Sequence, residues 1–109
     1  MLPATLFNIY IFVNAKGGSG GGCFRYMFGR FLAEARDLGA PAAVGKLASS
    51  FKAIGDAWEE AAELCRGATE GAGMEEAAAK AVLPELSRRL EAVADLEGKV
   101  WSALAAAVA

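Results

Sequence analysis

The sequence predicts an all-α protein of about four antiparallel helices in a bundle, and three observations carry that prediction. Apolar residues recur at steps of three and four through most of the chain, which is the period of one helix face. Glycine and proline gather at a few places and divide the chain into four such segments. Only one short run resembles a strand, and a lone strand would leave both of its edges unpaired. With 109 residues, the chain makes a single helical domain over 1–109.

The first helix is expected at about 4–15. Its Ile, Tyr, Phe and Val also suit a strand, but Leu6, Phe7, Tyr10 and Ile11 share a helical face. So apolar an element must be covered by the rest of the chain or by a second copy. Lys16 and Gly17 suit its C-terminus, and a glycine-rich elbow from Gly17 to Gly22 follows.

Ser19 is placed to cap the second helix, expected over 22–38 and stopping at Gly39. Its stripe is Phe24, Met27, Phe28, Phe31, Leu32, Ala35 and Leu38, and its aromatics make it the heaviest packing element. The third helix, 41–66, opens at Pro41 and carries a seam of Val44, Leu47, Phe51, Ile54, Trp58, Ala61 and Cys65. Gly55 in its middle costs about 1 kcal/mol relative to alanine, so another helix is expected to cross closely there. After a glycine-containing loop, the last helix spans 74–107, kinked or divided near Pro84. Its stripe of Leu83, Leu86, Leu90, Val93, Val100 and Leu104 is interrupted only by Glu97, and Glu85–Arg89 is one of its i,i+4 ion pairs.

Composition excludes several function classes. There is no histidine, which removes Ser-His and Cys-His nucleophile pairs and histidine-ligated zinc or di-iron centres. The net charge is −2 with Lys and Arg scattered, so no basic face offers itself to nucleic acid or to an anionic membrane. The apolar run from Leu6 to Val13 is too short to span a bilayer, and no basic residue precedes it as in a signal peptide. Cys23 and Cys65 show no metal-ligand spacing and no disulfide framework, the pattern of reduced thiols in a cytoplasmic protein. No cofactor and no metal site is expected.

The elbow is the candidate site. Glycine loops before helices often hold phosphates, yet Cys23 and Phe24 stand where a phosphate loop needs lysine and a hydroxyl, and no parallel sheet is predicted. A weaker anion site remains, formed by the amides of Gly20, Gly21 and Gly22 with Arg25 and Lys16. The competing reading is a tight turn that brings two bulky helices together while Arg25 pairs with an acidic residue in the fold. Cys23 at a helix start has no base beside it and reads as a small apolar residue. Glu59, Glu60 and Glu63 read as a solvated acidic face, and Trp58 and Trp101 as core anchors.

Gly20-Gly21-Gly22, Phe24-Arg25, Met27, Phe31-Leu32, Glu34-Ala35 and the Ile54-Gly55-Asp56-Ala57-Trp58 segment occur here in an order that resembles a known family. That family is the helical C-terminal domain of proteins similar to butirosin biosynthesis protein H. The resemblance covers residues 6–66 best and the last helix only in composition. It implies an accessory domain of an acyltransferase that moves an acyl group from a carrier protein's phosphopantetheine thioester to an amine. In that family the catalytic cysteine and histidine lie in an N-terminal cysteine-protease-like domain. This chain lacks histidine, so the activity does not carry over and Cys23 is not the family's nucleophile. The expectation is a non-catalytic module that forms a homo-oligomer (a dimer) or docks on a partner domain.

Overall fold

The computed structural model describes residues 2–16, 20–69 and 75–109, and the described residues are helical with no strand. Five segments follow in order: α1 (Leu2–Val13), α2 (Gly22–Asp37), α3 (Ala42–Lys46), α4 (Ala48–Thr69) and α5 (Glu76–Val108). The all-α prediction holds, and the first run is a helix, not a strand.

Local chemistry explains the ends. α1 stops at Val13, where the Asn14 side-chain amide donates to the carbonyls of Tyr10 and Ile11 at 2.9 and 3.0 Å. The Tyr10 carbonyl also accepts the Asn14 backbone N–H at 3.0 Å, so the side chain adds a second bond there and gives the Ile11 carbonyl a donor. α2 closes at Leu38, and Gly39 follows with φ +106, a left-handed conformation that glycine adopts without a side-chain clash. Ser19, the expected cap of α2, lies outside the described residues; Gly21 stands at the N-cap without a side-chain cap bond.

Three expectations need correction. The predicted third helix is two segments that meet at Leu47, with Pro41 as N-cap of α3 and not within its first turn. The division lets Val44 and Gly45 turn inward under the end of α2, where the Arg36 side chain lies against Gly45. α4 also runs on past Gly67 to Thr69, whose hydroxyl donates to the Arg66 carbonyl at 2.9 Å. α5 passes through Pro84 without dividing. Proline removes the donor for the Lys80 carbonyl, but Lys80 and Pro84 are both exposed, and the φ that proline fixes is already helical.

Packing sets the topology. Leu6 clusters with Ala61, Cys65 and Ala68, the Ala15 N–H donates to the Glu59 carboxylate, Gly22 faces the Gly55 carbonyl and Gly29 faces that of Ala48. As the chain advances through α1, the elbow and α2, its partners on α4 recede steadily. α1 and α2 therefore lie end to end, both antiparallel to α4, and are not side-by-side neighbours. α5 is antiparallel to α4 on another side, with Arg89 bridging Glu60 and the Trp101 ring 4.9 Å from that of Phe51.

The result is three rods: α1 with α2, α3 with α4, and α5. The molecule measures 53 × 23 × 15 Å, close to the roughly 50 Å length of a 33-residue helix. Its radius of gyration is 16.2 Å, against about 13 Å for a compact chain of this length. Two core clusters lie in series along it. One gathers Leu6, Ala61, Cys65, Ala68, Ala79 and Leu86; the other gathers Leu32, Val44, Phe51, Ile54 and Val100.

Candidate functional site

The elbow is built from backbone contacts. The Gly20 N–H reaches the Phe12 carbonyl at 3.4 Å, and Gly21 and Gly22 are buried. A Cβ on Gly21 would fall 2.6 Å from the Val13 Cα, and one on Gly22 would fall 3.0 Å from the Gly55 carbonyl. Neither neighbour is a side chain that can swing aside, so these two positions admit only glycine without a shift. The same argument runs along the α2–α4 contact. A Cβ on Gly29 would fall 3.0 Å from the Ala48 carbonyl, and the Tyr26 ring covers Gly55 where a Cβ would sit 2.6 Å away. The close crossing expected at Gly55 is present.

Arg25 is the clasp. Its Nε and Nη2 donate to Glu97 Oε1 at 2.9 and 2.7 Å, and its Nη1 donates to the Gly20 carbonyl at 2.8 Å. The guanidinium lies 5.3 Å from the Phe24 ring centre and 5.6 Å from that of Trp58. Both charged side chains are only 17% exposed, which shields the pair from solvent screening and ties α5 to the elbow. Glu97, the one interruption in the stripe of α5, is thereby explained: it faces the core side because Arg25 is there. Sequence reasoning raised an acidic partner for Arg25 without identifying it, although a lone carboxylate on an apolar stripe was its signature.

Of the predicted site residues, Gly20, Gly21, Gly22 and Arg25 come together, while Lys16 stays exposed with its backbone N–H on Asn14 Oδ1 at 3.0 Å. The cation of the proposed anion site is neutralised by Glu97, and two of its three glycines are buried. The geometry therefore favours the tight-turn reading.

The remaining candidates are also accounted for by the fold. Glu59 accepts from the Ala15 N–H, Glu60 pairs with Arg89, and Glu63 pairs with Arg66 at 2.7 Å. Among the described residues, no group of three or more His, Cys, Asp or Glu is arranged to hold a metal. Burial pushes the Cys65 thiol up, away from the reactive thiolate. The Tyr26 hydroxyl donates to Asp56; burial first, and then that bond, hold the tyrosine well above its ordinary value. Asp56 is held below the usual carboxylate range by the Tyr26 bond and then by Lys52 at 3.1 Å. An open cleft of about 360 Å³ lies beside this pair, between α2 and α4 and floored by Gly29, Ala33 and Ala48.

The feature that sequence reasoning missed is what α2 leaves outside. Because its glycine side meets α4, the helix is turned so that only part of its aromatic stripe faces the core. Phe28 is half-buried, with its ring 4.8 Å from Phe51 and 5.2 Å from Trp101. Phe24 (44%), Met27 (55%), Phe31 (57%) and Leu38 (88%) are exposed, and Trp101, expected in the core, stands beside them at 37%. A second exposed face, on α1, carries Phe7, Ile11 and Phe12. The signal was in the sequence: Gly22 and Gly29, two turns apart, mark the side of α2 that a neighbouring helix approaches.

No helix among the described residues is long and apolar enough to cross a membrane. No curated protein and no solved structure was found to match the chain. A family match covers residues 2–104, the whole of the helical architecture up to the last turn of α5. The chain belongs to the family described as Domain of unknown function (DUF4872).

Proposed function

We propose that this domain is a non-catalytic helical interaction module, one that self-associates or docks on an acyltransferase-like domain. The observation that carries this reading is the set of large apolar side chains left uncovered on α1 and α2, Phe12 and Phe31 foremost. Exposed apolar patches of a few hundred Å² are often functional on the surface of a protein. The resemblance to butirosin biosynthesis protein H supplies the chemistry of the second kind of partner.

Sedimentation of the chain, alone and mixed with an acyltransferase-like domain of that family, tests the proposal. A species heavier than 11.3 kDa for the chain alone, or one heavier than either component in the mixture, supports it. A monomer in both overturns it. The weaker alternative, an anion held at Gly20, Gly21, Gly22, Arg25 and Lys16, requires Arg25 to leave Glu97 and the elbow to open, and nothing in the geometry favours that.

A further inference from the structure

The uncovered face of α2 has a pattern that bears on which partner covers it. Phe24 and Phe31 lie equally far on either side of the point between Met27 and Phe28, and no stripe position from Phe24 to Leu38 is charged. Beside them, Trp101 extends the face onto α5 through its contact with Phe28. A stripe with this internal symmetry is complementary to its own antiparallel copy. With the two-fold axis at that midpoint, Phe24 of each copy meets Phe31 of the other, and the two Met27 side chains meet at the centre. This is the self-complementary patch that a closed two-fold dimer requires.

The area agrees. With roughly 150–250 Å² presented by a full aromatic side chain, the exposed fractions of Phe24, Met27, Phe31 and Trp101 leave about 400 Å² of apolar surface on each copy. Two copies together bring about 800 Å², near the apolar half of a standard interface of about 1,600 Å² in total. Methionine at the centre suits such a contact, since its unbranched side chain adapts to the gap between four rings.

We infer that the outer face of α2, with Trp101 of α5, is a two-fold homodimer interface centred on Met27, in which a second copy of this chain supplies the missing cover. This inference rests on the interaction-module reading and names the partner for one of its two exposed faces. The α1 face, with Phe7, Ile11 and Phe12, stays outside the dimer contact.

The test uses the full chain in sedimentation equilibrium over a wide micromolar range, with circular dichroism to confirm helix content. The wild type is expected at twice 11.3 kDa. Met27→Glu and Phe31→Glu, both at exposed positions, are expected to keep the helix signal and weaken the dimer by roughly thirtyfold or more, the range of interface hot spots. Phe12→Glu on α1 is expected to leave the dimer unchanged. In a Cys23→Ser background, Met27→Cys is expected to close a disulfide between protomers on mild oxidation, because the position sits on the two-fold axis. A dimer that withstands Met27→Glu and Phe31→Glu but is lost in Phe12→Glu overturns this interface and leaves the interaction-module reading standing. A wild-type monomer throughout the range overturns the homodimer, and the mixture with the acyltransferase-like domain then decides that reading separately.

Discussion

Helix α4 hides Phe51, Ile54, Ala61 and Cys65 completely, whereas α2, with an apolar stripe of the same period, leaves Phe24, Met27, Phe31 and Leu38 open to solvent. Both helices are amphipathic, and both pack against each other. They differ in which side makes the contact. α4 lies between two rods and has its seam covered by both. α2 meets α4 along its length and α3 only at its end, and presents to α4 the side that lets backbones approach, Gly22 and Gly29. Its aromatic side is then left partly over. Periodicity reports that an apolar face exists; small residues report where a neighbouring helix comes closest. When the two disagree, the close approach wins and the apolar face becomes a surface.

The strongest way to break this contrast is to truncate one phenylalanine on each helix. Phe51→Ala is expected to cost about 3–5 kcal/mol in urea unfolding, the penalty for a large cavity in a packed core. Phe31→Ala, measured where the chain is dissociated, is expected to stay within about 0.5 kcal/mol, as for an exposed site. Equal costs would mean that α2 is as fully covered as α4. Next in size is Gly21→Ala, which drives a Cβ into the Val13 backbone and should destabilise by about 1–3 kcal/mol, read from the same urea midpoints. An unchanged midpoint would show an elbow loose enough to shift.

Glu97→Ala sharpens the comparison from the side of α5. It leaves a mostly buried guanidinium unpaired, with an expected cost of about 1–3 kcal/mol. Adding Arg25→Ala should recover part of that loss, and a double-mutant cycle measures how much of the cost belongs to the pair. The smallest effect expected is in pH dependence. Tyr26 titrates higher in the fold than when unfolded, so its contribution is complete below its ordinary value of 10.0 and is lost as pH rises beyond it. Asp56 is shifted down, so its contribution holds above the ordinary carboxylate range and fades as pH falls below it. Tyr26→Phe should remove the alkaline loss and cost about 1 kcal/mol or less near neutrality, as chemical denaturation across pH would show.

Much of the fold was legible in the sequence, and the failures have physical reasons. The seam of α4 was readable because an i, i+3, i+4 pattern and a covered face coincide there. The stop at Gly39 was readable because only glycine takes that φ easily. The break at Leu47 was not, since Gly45 alone, with no proline or second glycine beside it, is a weak stop signal; its meaning comes from the Arg36 side chain of α2, which lies against it in the fold. The end-to-end placement of α1 and α2 was hidden because a glycine elbow permits a reversal as readily as a continuation. At the elbow itself, the pairing of Arg25 depends on Glu97, which lies 72 positions away in the chain. Pairings that distant have no local signature beyond the odd carboxylate on an apolar stripe.

The two core clusters stand in tandem along one spine, and α1 belongs only to the first. Opening α1 exposes Leu6 and its neighbours while Phe51, Ile54 and Val100 remain assembled. The free-energy profile of the domain therefore carries a step: α1 detaches in a partial opening, and the segment around Ile54 opens only when everything does. Hydrogen exchange would read this as two tiers of protection along a single polypeptide. A protein that grips Phe12 meets the tier that yields first, while a second copy seated on Met27 meets the tier that holds.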